Sequence, residues 1–306
     1  MSRISVRVPA SAANLGPGYD AFGLALGLHN VFHARFADAW HVEVQGEGAL
    51  SLSTGADNQV ASAMARVFAH VGAVDRSAHI VCENAIPTGR GLGSSASAIV
   101  GGVVLADALL DAGLGRERLL EIACEIEGHP DNVAAALLGG FVIGWRDEGG
   151  RCAATSVEPH GGLAAVLAIA EWEQPTSQAR AMLPTHVPHA DAAFSAGRAG
   201  LLAAGIALGR SDLIAGGLTD RLHQPYRVSA VPDFDEVSDA LVRAGSLGAV
   251  LSGAGPTIVG LVHAVDDAEA LERATRVASD TQRGLGDKAR RRIVALPVDR
   301  RGARLL

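Results

Sequence analysis

The stretch Pro87-Thr88-Gly89-Arg90-Gly91-Leu92-Gly93-Ser94-Ser95-Ala96-Ser97 limits what this chain can fold into more than any other. A β-rich segment leads into it and an apolar run from Ala98 to Leu110 follows. Three glycines within five residues free the backbone for positive φ and close approach, and Ser94 and Ser95 stand where they can cap a helix at its first turn. The pattern predicts a phosphate cradle: helix N-terminal amides and the positive end of the helix dipole hold a polyphosphate without a dedicated lysine. The G-x-x-x-x-G-K-[ST] pattern is absent, which excludes a Walker-type P-loop, and the spacing of a dinucleotide fingerprint is not met. A Gly-Leu-Gly triplet alone would equally suit an ordinary loop capping a buried helix. The double serine and the long small-residue helix favour the cradle.

At 306 residues the chain is long enough for one large or two modest domains, and 48% hydrophobic with 19% charged residues predicts a soluble globular protein. A net charge of -7 gives no support for nucleic-acid binding, and the basic cluster Lys288, Arg290, Arg291 and Arg292 reads as a solvated helix end. Cys82, Cys124 and Cys152, odd in number and without paired spacing, predict reduced thiols in a cytoplasmic protein. The first residues alternate as a strand instead of forming a signal peptide, and every apolar run stops short of about 18 residues, so neither export nor membrane insertion is expected.

Strand Ile4 to Val8 ends at Pro9 and delivers a loop, residues 10–23, that is dense in turn residues and carries two polar side chains, Asn14 and Asp20. A surface turn with an Asx-type bond and a binding loop both fit these letters. Short β segments are expected over Leu24 to Leu28, Asn30 to Phe36 and His41 to Gln45, then a helix from Val60 to Val71 capped by Asp57, with Asn58 beside it. Arg116 to Glu127 reads as a helix closed by Gly128. Glu121 and Glu125 share one face of it, whereas Glu127 points about 200° away from Glu125. One or two of these carboxylates can face the glycine loop and hold Mg²⁺, which takes oxygen ligands, or all three can be solvated. Thr176 and Arg180 share a face on a short helix, where an arginine fork beside a hydroxyl can receive a carboxylate or merely decorate the surface. Further strands are expected over Phe141 to Trp145, Leu163 to Ala170, Gly248 to Ser252, Thr257 to Leu261 and Ile293 to Pro297, and further helices over Asp191 to Leu208, Ser211 to Thr219 and Ala268 to Ser279. The Gly149-Gly150 turn and the Pro159 to Gly162 linker divide the chain into residues 1–155 and 156–306.

Pro-x-x-x-Gly-Leu-Gly-Ser-Ser-Ala resembles the nucleotide loop of the GHMP kinases, the superfamily of galactokinase, homoserine kinase, mevalonate kinase and phosphomevalonate kinase. Pro-Ala-Ser-x-Ala-Asn-Leu-Gly-Pro-Gly-x-Asp from Pro9 is similar to the first motif of homoserine kinases. Glu-Gly-His-x-Asp-Asn-Val from Glu127, Thr-x-x-x-Arg-x-x-Leu-Pro from Thr176 and Leu-Ser-Gly-Ala-Gly-Pro-Thr from Leu251 are similar to later parts of that family's pattern. The resemblance covers about nine-tenths of the chain and implies a two-domain α+β GHMP kinase fold, with a ribosomal protein S5-like N-terminal domain and a ferredoxin-like C-terminal domain. It implies ATP held by Pro87, Arg90, Gly91, Leu92, Gly93, Ser94, Ser95, Ala96 and Ser97, with Asn58 near the adenine, although capping explains Asn58 as well. It assigns Mg²⁺ to Ser95 and Glu121. Asn14, Asp20, His129, Thr176, Arg180 and Arg227 would bind substrate, while Asp131 and Asn132 would be catalytic, Asp131 chiefly orienting the substrate and secondarily acting as base.

The implied activity is ATP-dependent phosphorylation of the L-homoserine hydroxyl to O-phospho-L-homoserine in threonine biosynthesis, with no nucleic-acid or membrane partner and with a homodimer as an open possibility. Asp20 opposed to Arg180 and Arg227 suits a zwitterion better than a sugar. Another GHMP kinase of the mevalonate type and a non-catalytic ligand sensor on the same fold stand as alternatives.

Overall fold

A computed structural model describes residues 3–286 and 290–306; Lys288 lies outside them. Seven strands form the first sheet: β1 (Ile4–Ala13), β2 (Phe22–Ala37), β3 (His41–Gly46), β4 (Ser77–Asn84), β5 (Phe141–Arg146), β6 (Cys152–Val157) and the C-terminal β11 (Arg304–Leu305). Their order is β11-β1-β2-β4-β3, with β5 paired to the start of β2 and β6 to β5. The expected short segments within residues 24–36 are one continuous strand, because the break in pairing is a bulge. Pro9 pairs with His29 and Ala10 with Leu26, so β2 carries the extra residues. Proline lacks the amide that unbroken pairing would need there, and beyond the bulge β1 runs on to Ala13 instead of ending at Pro9.

The pairs of this sheet are antiparallel apart from β3 and β4, whose parallel pairing requires a crossover. Helix α1 (Gln59–His70) supplies it. Together with α2 (Ser94–Leu110), α3 (Gly115–Glu127) and α4 (Pro130–Leu138), it covers one face, where Phe32, Val42, Met64, Phe68, Ile80, Ile99 and Leu120 form a buried cluster. The cap of α1 is Asn58, which accepts from the Val60 amide; Asp57, the expected cap, instead accepts from the Ser53 hydroxyl.

Helices α5 (Thr176–Ala181), α6 (His189–Leu208), α7 (Ser211–Gly217), α8 (Gln224–Arg227), α9 (Phe234–Ala244) and α10 (Asp267–Leu285) belong to the second half, with an antiparallel sheet of order β10-β7-β9-β8. Its strands are β7 (Gly162–Ala170), β8 (Ala249–Leu251), β9 (Ile258–Ala264) and β10 (Arg291–Pro297). Every residue of β7 is buried, because its two faces enter two cores. Val166 packs with Val237, Leu241 and Val277 of α9 and α10, whereas Leu163, Leu167 and Ile169 pack with Leu202 and Ile206 of α6 and with Ala10, Leu24 and Phe141 of the first sheet. An apolar core thus joins the halves. The 155/156 division falls inside β6, and β11 returns to pair with β1 at Val6 and Leu305.

Not all of the cysteines are the expected reduced thiols. Cys124 on α3 and Cys152 on β6 form a disulfide, so Cys82, which is buried, is the free cysteine. Their 28-residue separation carries no local signal, and only the packing of α3 on β6 brings them together. Arg291 is no solvated helix end either. It is a buried residue of β10 whose guanidinium donates to both carboxylate oxygens of Asp233 at 2.7 Å and to the carbonyls of Ala168 and Pro256.

Candidate active site

The glycine loop runs from β4 to α2 with Gly89, Gly91 and Gly93 all at positive φ, between 65° and 73°. A Cβ on Gly91 would lie 2.2 Å from the Ser252 carbonyl, and one on Gly93 would lie 2.0 Å from Ser11 Oγ, so backbone alone fits between β1 and the 252–255 loop. Ser252 Oγ donates to the Gly91 carbonyl at 2.6 Å and the Ser11 amide donates to the Leu92 carbonyl at 3.1 Å, which fixes the loop. The cap of α2 is Gly93 itself, in the left-handed region; neither Ser94 nor Ser95 caps the helix with its side chain. Ser97 is buried and its amide donates to the Gly93 carbonyl at 2.8 Å, so that amide is not free for a phosphate. The amides of Ser94, Ser95 and Ala96 are the first-turn donors that a helix leaves without an internal acceptor.

Pro87, Gly91, Leu92, Gly93, Ser94 and Ser95 line a cleft together with Asn14, Asp20, Glu127, His129, Asp131, Asn132, Thr176, Arg180 and Arg227. Arg90 reaches its rim, but its guanidinium donates to the carbonyls of Thr88, Ala170 and Glu171 and pairs with Glu173, tying the loop to the second half. Asn58 lies outside this cleft. It lines an adjoining cavity that shares Ser94, where its side chain caps α1 and donates to the Ser53 carbonyl at 2.7 Å.

The structure does not bring Glu121 to Ser95. Glu121 pairs with Arg118 and lines a separate cavity with Glu125, Arg146 and Arg151, while Glu125 pairs with Arg66. Glu127 takes the place assigned to Glu121: its Oε2 accepts from Ser95 Oγ at 2.9 Å, and Gln59 donates to that hydroxyl at 2.7 Å. Six residues advance a helix by about 240°, so the two glutamates look in different directions. Burial raises the pKa of Glu127 from its ordinary 4.5, against the opposing pull of His129 and of the Ser95 hydrogen bond. Among the described residues no lysine or arginine pairs with Glu127, which also sits at the negative end of α3. A half-buried carboxylate without a cation, beside a hydroxyl and free amides, is an oxygen donor set that fits Mg²⁺ with nucleotide phosphate completing its shell.

Beyond the cradle, the loop after β1 holds Asn14, Leu15 and Asp20 in the left-handed region. Asn14 is buried, donates to the Gly253 carbonyl at 2.8 Å and accepts from the Asp20 amide at 3.0 Å; its side chain joins two loops and aims Asp20. Both oxygens of Asp20 accept from Arg180, each at 2.9 Å, and Arg180 also donates to the Tyr19 hydroxyl. The two residues assigned to opposite ends of a zwitterion thus pair with each other. Arg227 is buried, with its guanidinium donating to the carbonyls of Ala179 and Gly253, facing His223 Nδ1 and lying over the Tyr19 ring. Burial lowers its pKa, and it has no carboxylate partner among the described residues.

Asp131 is buried in the first turn of α4, where its Oδ1 faces His129 Nδ1 at 2.6 Å and accepts from the Asn132 amide at 2.8 Å. Its Oδ2 has no partner among the described residues. Burial pulls the His129 pKa down, but the hydrogen bond and charge of Asp131 outweigh it and leave that pKa raised. Asn132 Oδ1 accepts from Ser11 Oγ at 2.8 Å. Ser11, Tyr19 and Ser252 escaped the sequence reading. Ser11 and Ser252 could have been found from their places within the first and last motifs, whereas Tyr19 fills an unspecified position of the first motif and carries no such signal.

Residues 58–140 match the family model of the GHMP kinases N terminal domain and residues 192–280 that of the GHMP kinases C terminal domain. Homoserine kinase of Streptomyces avermitilis is 44% identical, covering 99% of this chain and 95% of its own, and that of Streptomyces coelicolor is 43% identical over 91% and 93%. The crystal structure of homoserine kinase from Cytophaga hutchinsonii superposes with a TM-score of 0.86 at 28% identity, covering 100% of this chain and 98% of its own. L. major mevalonate kinase, in complex with R-mevalonate, shares the fold at a TM-score of 0.71 and 14% identity, covering 96% and 95%. This chain belongs to the GHMP kinase family, within its homoserine kinase branch.

Proposed function

We propose that the chain transfers the γ-phosphoryl group of ATP to the side-chain hydroxyl of L-homoserine, giving O-phospho-L-homoserine and ADP. One observation carries this reading: a single cleft is lined by Gly93, Ser94 and Ser95 at the start of α2 and also by Asp20, Arg180 and Arg227, the last without a carboxylate partner among the described residues. The amides of Ser94, Ser95 and Ala96 hold phosphate oxygens, and Ser95 with Glu127 would hold Mg²⁺. When bound, that ion neutralises charge on the transferring phosphate. Asp20 receives the ammonium of the amino acid, and Arg180 and Arg227 receive its carboxylate, with Thr176 beside them.

Phosphoryl transfer depends chiefly on alignment and charge neutralisation. Asp131, with Oδ1 held by His129 and the Asn132 amide, presents Oδ2 to the acceptor hydroxyl and orients it; accepting its proton is a second role. Ser11 donates to the Asn132 side-chain oxygen and so fixes that amide beside Asp131. The reaction draws on ATP and a free amino acid, both cytoplasmic metabolites, and we assign the protein to that compartment.

The test is ADP release from Mg-ATP with L-homoserine, L-serine, L-threonine, mevalonate and galactose as acceptors. Turnover with homoserine above all others supports the reading. Preference for mevalonate or galactose would overturn the acceptor assignment while leaving a kinase, and no turnover on any acceptor would favour a ligand sensor.

A further inference from the structure

A cation-binding set different in chemistry from Ser95 and Glu127, and separate from the cleft cluster of Asp20, His129 and Asp131, stands on the outer face of the first sheet. His41 on β3 and His79 on β4 are directly paired across the parallel ladder, and Glu43 lies two residues along β3 on the same face. The opposite face carries Val42, Ile80 and Cys82 into the core under α1 and α2, so the three polar residues point away from the helices and the cleft. Their ligand atoms all lie within 4.8 Å of one another. Glu43 Oε1 meets His79 Nε2 at 2.7 Å, and the His41 and His79 rings stack with centroids 5.2 Å apart and planes 25° apart.

As a surface ion pair, Glu43 and His79 would need nothing more. His41 is what that explanation leaves over: among the described residues its ring makes no hydrogen bond, and Glu43 has no lysine or arginine partner. We propose that His41, Glu43 and His79 form a site for a divalent transition metal of the Zn²⁺ class, with solvent in the remaining positions. Two imidazoles and one carboxylate suit zinc, nickel or copper, whereas Mg²⁺ prefers an all-oxygen shell. Ligand distances of about 2.0–2.2 Å put donor atoms roughly 3.4 Å apart, so closure requires a modest rotation of side chains that are largely free to make it. Because β3 is the edge strand of the sheet, the metal would clip that edge to β4.

The experiment is calorimetric titration of ZnCl₂ in excess MgCl₂, which keeps the oxygen site filled, on wild type, His41→Asn and His79→Asn. One Zn²⁺ binds the wild type, each variant loses at least about tenfold in affinity, and Zn²⁺ raises the melting temperature of wild type alone. Electron paramagnetic resonance of the Cu²⁺-loaded protein shows splitting from two nitrogens in wild type and from one in each variant. Kinase turnover without zinc is unchanged in His41→Asn, which also verifies that this variant folds. Equal Zn²⁺ affinity in all three proteins, or a copper spectrum that neither substitution alters, overturns the site.

Discussion

Ser95 Oγ donates to Glu127 Oε2 at 2.9 Å, linking the first turn of α2 to the last turn of α3. Glu127→Gln should therefore lower kcat by about 10²- to 10³-fold, the loss of several kcal/mol of charge stabilisation at the transferring phosphate. Glu121→Gln, which removes a partner of Arg118 away from the cleft, should leave kcat within about twofold. Steady-state kinetics on the two variants distinguishes the glutamates, and equal losses would refute the assignment.

Stability should move the other way. The raised pKa of Glu127 means that, from pH 4.5 up to that raised value, the folded chain holds a proton that the unfolded chain has released. Stability drops as pH rises through this window and stays lower above it. Glu127→Gln is accordingly expected to melt above wild type at neutral pH, with the gain disappearing below pH 4.5, and Mg-ATP should stabilise wild type more than the variant. Thermal melts across pH check both; a variant that melts below wild type at neutral pH would contradict them.

The Asp20–Arg180 pair joins the first-motif loop to α5 across the cleft mouth. Arg180→Ala should raise KM for homoserine about 10- to 100-fold, as expected for one charge-assisted hydrogen bond to a substrate carboxylate, with KM for ATP nearly unchanged. Arg210→Ala, which removes an exposed pair with Asp212, serves as a control and should change neither constant. A parallel rise in both KM values would mean that Arg180 maintains the cleft rather than binding the amino acid.

Gly93→Ala combines a positive φ with a Cβ placed 2.0 Å from Ser11 Oγ. It should destabilise the fold by about 1–3 kcal/mol and reduce kcat/KM for ATP more than tenfold, because displacing Ser11 releases Asn132. Denaturant melts and kinetics together test this, and full activity with unchanged stability would show that the loop has room to adjust.

The conformation of the glycine loop was legible because it is written in local backbone chemistry: spaced glycines, a helix start and small residues behind it. That Arg180 and Thr176 reach one cleft was legible for the same reason, since four residues on one helix fix a common face. Glu127 was not, because choosing among three glutamates requires knowing which side of α3 meets α2, and that follows from packing on β6 and α1. Asn14 and Arg90 show the complementary limit. Both stand at the cleft, yet their polar groups are engaged by carbonyls of the second half, at Gly253 for Asn14 and at Ala170 and Glu171 for Arg90. The unbroken β2 and the return of β11 to β1 were hidden too, since a bulge and a two-residue strand leave almost no periodic trace.

Mass spectrometry of the products formed from Mg-ATP and L-homoserine tests the central claim most directly. The expected result is O-phospho-L-homoserine, phosphorylated on the side-chain oxygen, in equal amount to ADP. ADP with inorganic phosphate and unmodified homoserine would contradict it.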